Sequence, residues 1–134
     1  MRFILFIVLF MLNTGYVHQK TPASFTSEEY VITEIGKEGG WYIIYARKDD
    51  QLFKILSYDS ASSESCCDIV VGKEYALELE SISERAPEIN GIKLDAVKVD
   101  CYQFEGDVTI CKEKDKGIFD LYFTRNLKAL VYIE

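Results

Sequence analysis

Tyr30-Val31-Ile32-Thr33-Glu34-Ile35, Trp41-Tyr42-Ile43-Ile44-Tyr45-Ala46 and Leu52-Phe53-Lys54-Ile55-Leu56-Ser57-Tyr58 are three short runs rich in β-branched and aromatic residues. Gly39-Gly40 separates the first two and Lys48-Asp49-Asp50 the last two, both of them turn-forming stretches. Branched and aromatic side chains fit a pleated, half-buried surface, and turn formers at this spacing fold such runs back on one another. The stretch therefore predicts a meander of three antiparallel strands.

Downstream the same grammar continues. Residues 59 to 65 (Asp-Ser-Ala-Ser-Ser-Glu-Ser) are polar and unpatterned, so they read as a surface loop that delivers Cys66-Cys67 to the edge of the fold. Tyr75, Leu77 and Leu79 alternate with Glu74, Glu78 and Glu80, the period of a strand with one wet face. Pro87 and Asn90-Gly91 limit residues 83 to 91 to a loop with at most one helical turn. Ile92 and Leu94 share one parity while Val97, Val99 and Cys101 share the other, which predicts a strand over 92–102 that slips register at a bulge near Ala96. Residues 107–112 and 118–123 flank Glu113-Lys114-Asp115-Lys116-Gly117 and predict a hairpin. The apolar run 127–133 predicts a central strand buried on both faces.

Seven or eight short strands with no helical period make this an all-β chain. Closure hides the edges of that many strands, so the expected architecture is a small closed or partly open antiparallel barrel, OB-like, with a two-layer β-sandwich as the alternative.

The N-terminal end has a different character. Arg2 precedes ten unbroken apolar residues, Phe3 to Leu12, the charged and hydrophobic regions of a secretion signal. Crossing a bilayer takes about 20 apolar residues, and polar Asn13, Thr14, His18 and Gln19 end this run well short of that. The organisation read from sequence is thus a signal over 1–19, a flexible lead-in over 20–28 and a single β domain over 29–134. The signal implies a secreted or periplasmic product with no stable membrane insertion after cleavage. Removing it takes away one base and no acid, so the net charge moves from −7 to −8. A phosphate backbone is repelled by that field, and no basic residues interleave with aromatics in any run, so nucleic acid is not an expected partner.

Cys66, Cys67, Cys101 and Cys111 would all meet an oxidising compartment, which predicts disulfides rather than metal ligation. Adjacent cysteines rarely join each other. The open pairings are Cys66 or Cys67 with Cys101 or Cys111, and Cys101 with Cys111. The single histidine, His18, leaves with the signal, which removes the base of Ser-His or Cys-His catalysis. No cofactor is expected. Acids such as Asp49, Asp50, Glu84, Asp100, Glu113, Asp115 and Asp120 read as a solvated face; the catalytic reading of them would require two carboxylates facing across a cleft.

Aromatic residues are the unusual feature. Trp41 and Tyr45 share one face of the second strand with Ile43, and Tyr42 shares the other with Ile44, so one face is a candidate stacking platform. Parity places Tyr102, Tyr122 and Tyr132 outward on their strands. The candidate binding residues are therefore Trp41, Tyr42, Tyr45, Tyr102 and Tyr122.

A signal with no cysteine beside its cleavage region, hydrophobic meanders, Val-Gly-Lys-Glu-Tyr-Ala-Leu-Glu-Leu-Glu at 71–80 and a strand-rich apolar C-terminus resemble the small uncharacterised secreted proteins of Bacteroidota-type bacteria. The resemblance implies a periplasmic or extracellular address and no particular activity. The expected function is that of an exported, non-enzymatic β module binding a protein or cell-surface ligand; the alternative is a small secreted carboxylate-dependent hydrolase or an inhibitor-like protein.

Overall fold

The computed structural model describes residues 26–60, 67–85, 88–93 and 98–134. The predicted signal, most of the lead-in, Cys66 and the predicted bulge at Ala96 lie outside the described residues.

The meander forms as the sequence predicts, with β1 (Glu28–Glu38), β2 (Trp41–Lys48) and β3 (Gln51–Tyr58) antiparallel in order. β1 starts at Glu28, inside the predicted lead-in, because its first residues pair with β4 (Glu74–Leu77). β5 (Leu79–Ser81) follows after Glu78 alone. β10 (Leu121–Thr124) lies between β3 and β5, giving the order β4-β1-β2-β3-β10-β5. Since β4 and β5 are two halves of one bent strand, the sheet's two edges are contiguous in the chain and the sheet nearly closes on itself. Counting the bent strand once, the circuit is first, second, third, fifth, fourth and back to first, an OB-like barrel rather than a sandwich. It is not wholly antiparallel, because β10 runs parallel to β3. The chain passes through the bent strand and two further hairpins before returning at the end where β3 began.

Asn126 closes the seam. Where the bent strand kinks, the Glu78 amide donates to Asn126 Oδ1 (3.0 Å) and Asn126 Nδ2 donates to the Ala76 carbonyl (2.6 Å). Inside the barrel Tyr30, Ile32, Ile44, Ala46, Ile55, Ile69, Leu77 and Leu127 form one buried cluster.

A second layer lies outside. β8 (Cys101–Phe104) and β9 (Val108–Cys111) form a hairpin that packs Val108 and Ile110 onto Ile43, Leu56 and Leu121. The predicted 107–112/118–123 hairpin is therefore corrected: the first segment pairs backward with β8, and between Glu113 and Ile118 only a single bridge remains. Ile92-Lys93 (β7) folds back on Glu88-Ile89 (β6) instead of running on to residue 102. The run predicted as a central strand is also corrected. It splits into β11 (Leu127–Lys128) and β12 (Val131–Tyr132) around Ala129, which takes a left-handed φ of 53°. Leu127 and Ala129 are buried, whereas Lys128 and Ile133 are exposed, so the run is not buried on both faces.

Candidate functional site

The candidate site grows from the end of the β2–β3 ladder. Trp41 opposes Tyr58 there, with ring centroids 5.1 Å apart. Trp41 also meets Phe104 of the outer hairpin at 4.9 Å and Phe123 of β10 at 6.2 Å. Edge-to-face and tilted contacts of this kind each contribute about 0.5–1.5 kcal/mol beyond area burial. The cluster therefore holds Trp41 firmly while leaving Tyr58 48% exposed. The Trp41 indole nitrogen is buried and makes no hydrogen bond to a described residue. Arg85 lies with its guanidinium 5.3 Å from the Phe123 ring, on the flank of the cluster.

Beside these rings is a cleft of about 320 Å³, walled by Trp41, Leu56, Tyr58, Phe123 and Leu127, with Ser57, Ser60, Thr124 and Lys128 as its polar edge. It exists because β10 stops. The β3–β10 pairing ends at Leu56 and Phe123, after which Arg125 donates its amide to Glu78 and the chain turns toward the seam. β3 runs on to Tyr58. Asp59 N donates to Gly40 O, which sets the alternation of that ladder. Antiparallel bonding alternates by residue, so the Tyr58 N–H and C=O point away from β2, into the cleft.

The predicted platform does not assemble as a single surface. Trp41 is at the cleft. Tyr42 faces the inner cluster, with Lys37 Nζ 5.0 Å from its ring centre. Tyr45 faces outward and donates to Glu113 Oε2 at 2.5 Å. Tyr102 packs within the outer cluster. Tyr122 points inward against Phe53, with centroids 5.4 Å apart, and Tyr132 meets Tyr75 edge to face and donates to the Ala76 carbonyl. The predicted outward direction of these three tyrosines is corrected: Tyr102 is on the face of the hairpin that packs on the barrel, Tyr122 lies on the barrel's inner face, and Tyr132 packs against Tyr75. Tyr58, Phe104, Phe123 and Lys128 were not singled out by sequence reasoning. Reflecting the chain through the Asp49-Asp50 turn would have found Tyr58, since that symmetry places it opposite Trp41.

Of the open cysteine pairings the structure takes Cys101–Cys111, which join the two ends of the hairpin. Cys67 is exposed.

At the opposite end of the barrel a cavity of about 530 Å³ is bordered by Glu28, Lys48, Asp49 and Asp50, with Tyr30 and Phe53 beneath. Lys48 reaches Glu28 at 2.5 Å and, together with the Tyr30 hydroxyl, lowers the Glu28 pKa. Burial and the bond to Glu28 push Tyr30 up to about 12. A general acid needs a carboxyl whose pKa is raised. The carboxyls that shift among the described residues, Glu28, Glu80, Asp100 and Glu113, all shift downward. The described residues contain no group of three or more potential metal ligands and no helix long and apolar enough to cross a membrane. No protein-family model matches the chain, and neither a curated protein nor a solved structure matches it.

Proposed function

We propose that this chain is an exported, non-enzymatic OB-like module that binds a protein or cell-surface ligand in the cleft beside Trp41. The observation that carries the reading is the parting of β3 from β10. It opens a cleft at the aromatic cluster, next to an exposed tyrosine whose backbone N–H and C=O point away from β2. Apolar walls with a few polar groups at the edge are the usual character of a ligand site. Open barrels of this type bind oligonucleotides and sugars on the outer face of their second and third strands. Here the β8–β9 hairpin occupies that face, which, with the acidic net charge, argues for a ligand other than nucleic acid. Export is supported by the Arg2-led apolar run and is in keeping with the Cys101–Cys111 bond.

The test is a heteronuclear NMR titration with two probes, an N-acetylglucosamine trimer and an apolar tripeptide. Trp41 is the sole tryptophan, so its indole signal needs no assignment. The expected result is movement of that signal together with the amides of Ser57, Tyr58 and Thr124. Shifts confined to the Glu28–Phe53 end, or none with either probe, would overturn the reading.

A further inference from the structure

From the same cleft, we infer the chemistry of its occupant: the free C-terminal end of an extended polypeptide whose last side chain is apolar. The inference rests on the binding role proposed above. Three observations meet here.

The first is the strand end. Ser57 and Tyr58 continue past the last residue of β3 that pairs with β10, and the Tyr58 N–H and C=O point into the gap. A chain lying alongside can satisfy both groups with its own main chain, which is how peptides add to sheet edges. Saccharides lack the alternating donors and acceptors that such an edge matches.

The second is the apolar wall. Trp41, Leu56, Phe123 and Leu127 line an open cleft of about 320 Å³ that can receive an aliphatic side chain.

The third is charge. In a chain with 22 acidic and 15 basic side chains, none of the described residues lining the cleft is acidic. The charged group among those described residues is Lys128, which is exposed and makes no ion pair with a described residue. Arg85 on the flank is already neutralised by Glu80. A terminal carboxylate gives Lys128 its partner while the last side chain fills the apolar space.

The experiment compares acetyl-Ala-Ala-Leu with a free carboxylate, the same peptide as its amide, and a galacturonate trimer. The full exported chain is used, with affinity read from the Trp41 indole and Tyr58 amide signals. The acid is expected to bind more tightly than the amide by up to roughly five-fold, the upper end for an exposed ion pair. Lys128→Ala should erase that preference while leaving the circular dichroism unchanged. Equal affinity for acid and amide in the unaltered protein overturns the carboxylate assignment and leaves the cleft intact as a binding site. Binding of galacturonate but neither peptide overturns the polypeptide assignment. Silence of the Trp41 indole with all three removes the cleft itself.

Discussion

Lys54 Nζ lies 2.8 Å from Glu113 Oε2, on the covered outer face of the barrel, and also donates to the Cys111 carbonyl at 2.9 Å. Glu113 in turn accepts from Tyr45 (2.5 Å) and from Lys116 (2.7 Å). The pair ties the exit of the outer hairpin to the middle of β3 and so holds the second layer in place. Lys54 is 7% exposed, so its charge depends on Glu113 for compensation. Glu113→Gln should destabilise the fold by about 3 kcal/mol, the lower end for stranding one member of a buried pair, since Glu113 keeps some contact with water. Adding Lys54→Met should restore at least half of that loss. Urea unfolding of the three proteins decides it; a double variant as weak as the single one would mean that the ammonium is not the source of the cost.

The same carboxyl predicts an acid limb. Burial alone would raise the Glu113 pKa, but the hydrogen bonds from Lys116, Lys54 and Tyr45 outweigh it and hold the group down to about 2, against 4.5 for an ordinary glutamate. A carboxyl whose pKa is lower folded than unfolded binds fewer protons in the native state, so its stabilisation is complete above pH 4.5. That contribution shrinks as pH falls from there toward 2. Unfolding free energies measured across this window should decline, and the decline should be shallower in Glu113→Gln. Parallel slopes for the two proteins would refute the assignment.

Asn126 makes a third test, at the seam. Its Oδ1 accepts from the Glu78 amide and the Thr124 hydroxyl, and its Nδ2 donates to Ala76. Asn126→Ala leaves the kink's amide and carbonyl without those partners, at a cost of about 2–3 kcal/mol for groups this sheltered. Asn126→Asp keeps the acceptor and loses the donor, so it should fall between the two. Thermal unfolding gives the order, and an aspartate variant weaker than alanine would show that the acceptor is not what matters.

Much of this barrel was legible because its signals are local. The Gly39-Gly40 and Asp49-Asp50 turns set the registers of β1, β2 and β3, and alternation through Tyr75, Leu77 and Leu79 set the bent strand's buried face. What failed was long-range. Residues 107–112 carry no mark that says whether they pair with the segment before or the segment after, and both neighbours are apolar. Tyr122 looks outward by parity until Phe53 is known to lie beside it across a parallel pairing. At the site, Trp41 was visible as a lone indole on a strand, whereas the cleft arises from where β10 stops, a property of two strands whose paired residues are 67 apart in the chain.

Reduction supplies a fourth prediction. The Cys101–Cys111 bond closes a short loop, ten residues apart in sequence, and chain-entropy reasoning gives about 2–3 kcal/mol of stabilisation for a loop of that length. Cys101→Ser with Cys111→Ser should lower the urea midpoint accordingly. Peptide mass mapping without reduction should return the two residues in one cross-linked fragment. Recovery of either cysteine linked to Cys66 or Cys67 would contradict the pairing.

The last prediction concerns how closely the hairpin is seated. Gly39 sits at the β1–β2 turn with φ of 56°, and a Cβ added there would lie 2.4 Å from Val108 Cγ2. Gly39→Ala thus meets two separate penalties. A left-handed backbone costs a non-glycine residue about 1 kcal/mol or more, and the overlap forces Val108 to move. Val108 is 7% exposed and packs in the outer cluster, so it has little room to give. The single variant should lose about 2–3 kcal/mol, a typical sum for backbone strain and overpacking. Val108→Ala alone creates a small cavity, yet in combination it removes the clash. The two changes should therefore be less costly together than the sum of their separate effects, by about 1 kcal/mol in a double-mutant cycle. Strict additivity would mean that the hairpin rides free of the turn, and with it the account of a second layer fixed over Ile43 and Leu56 would fail.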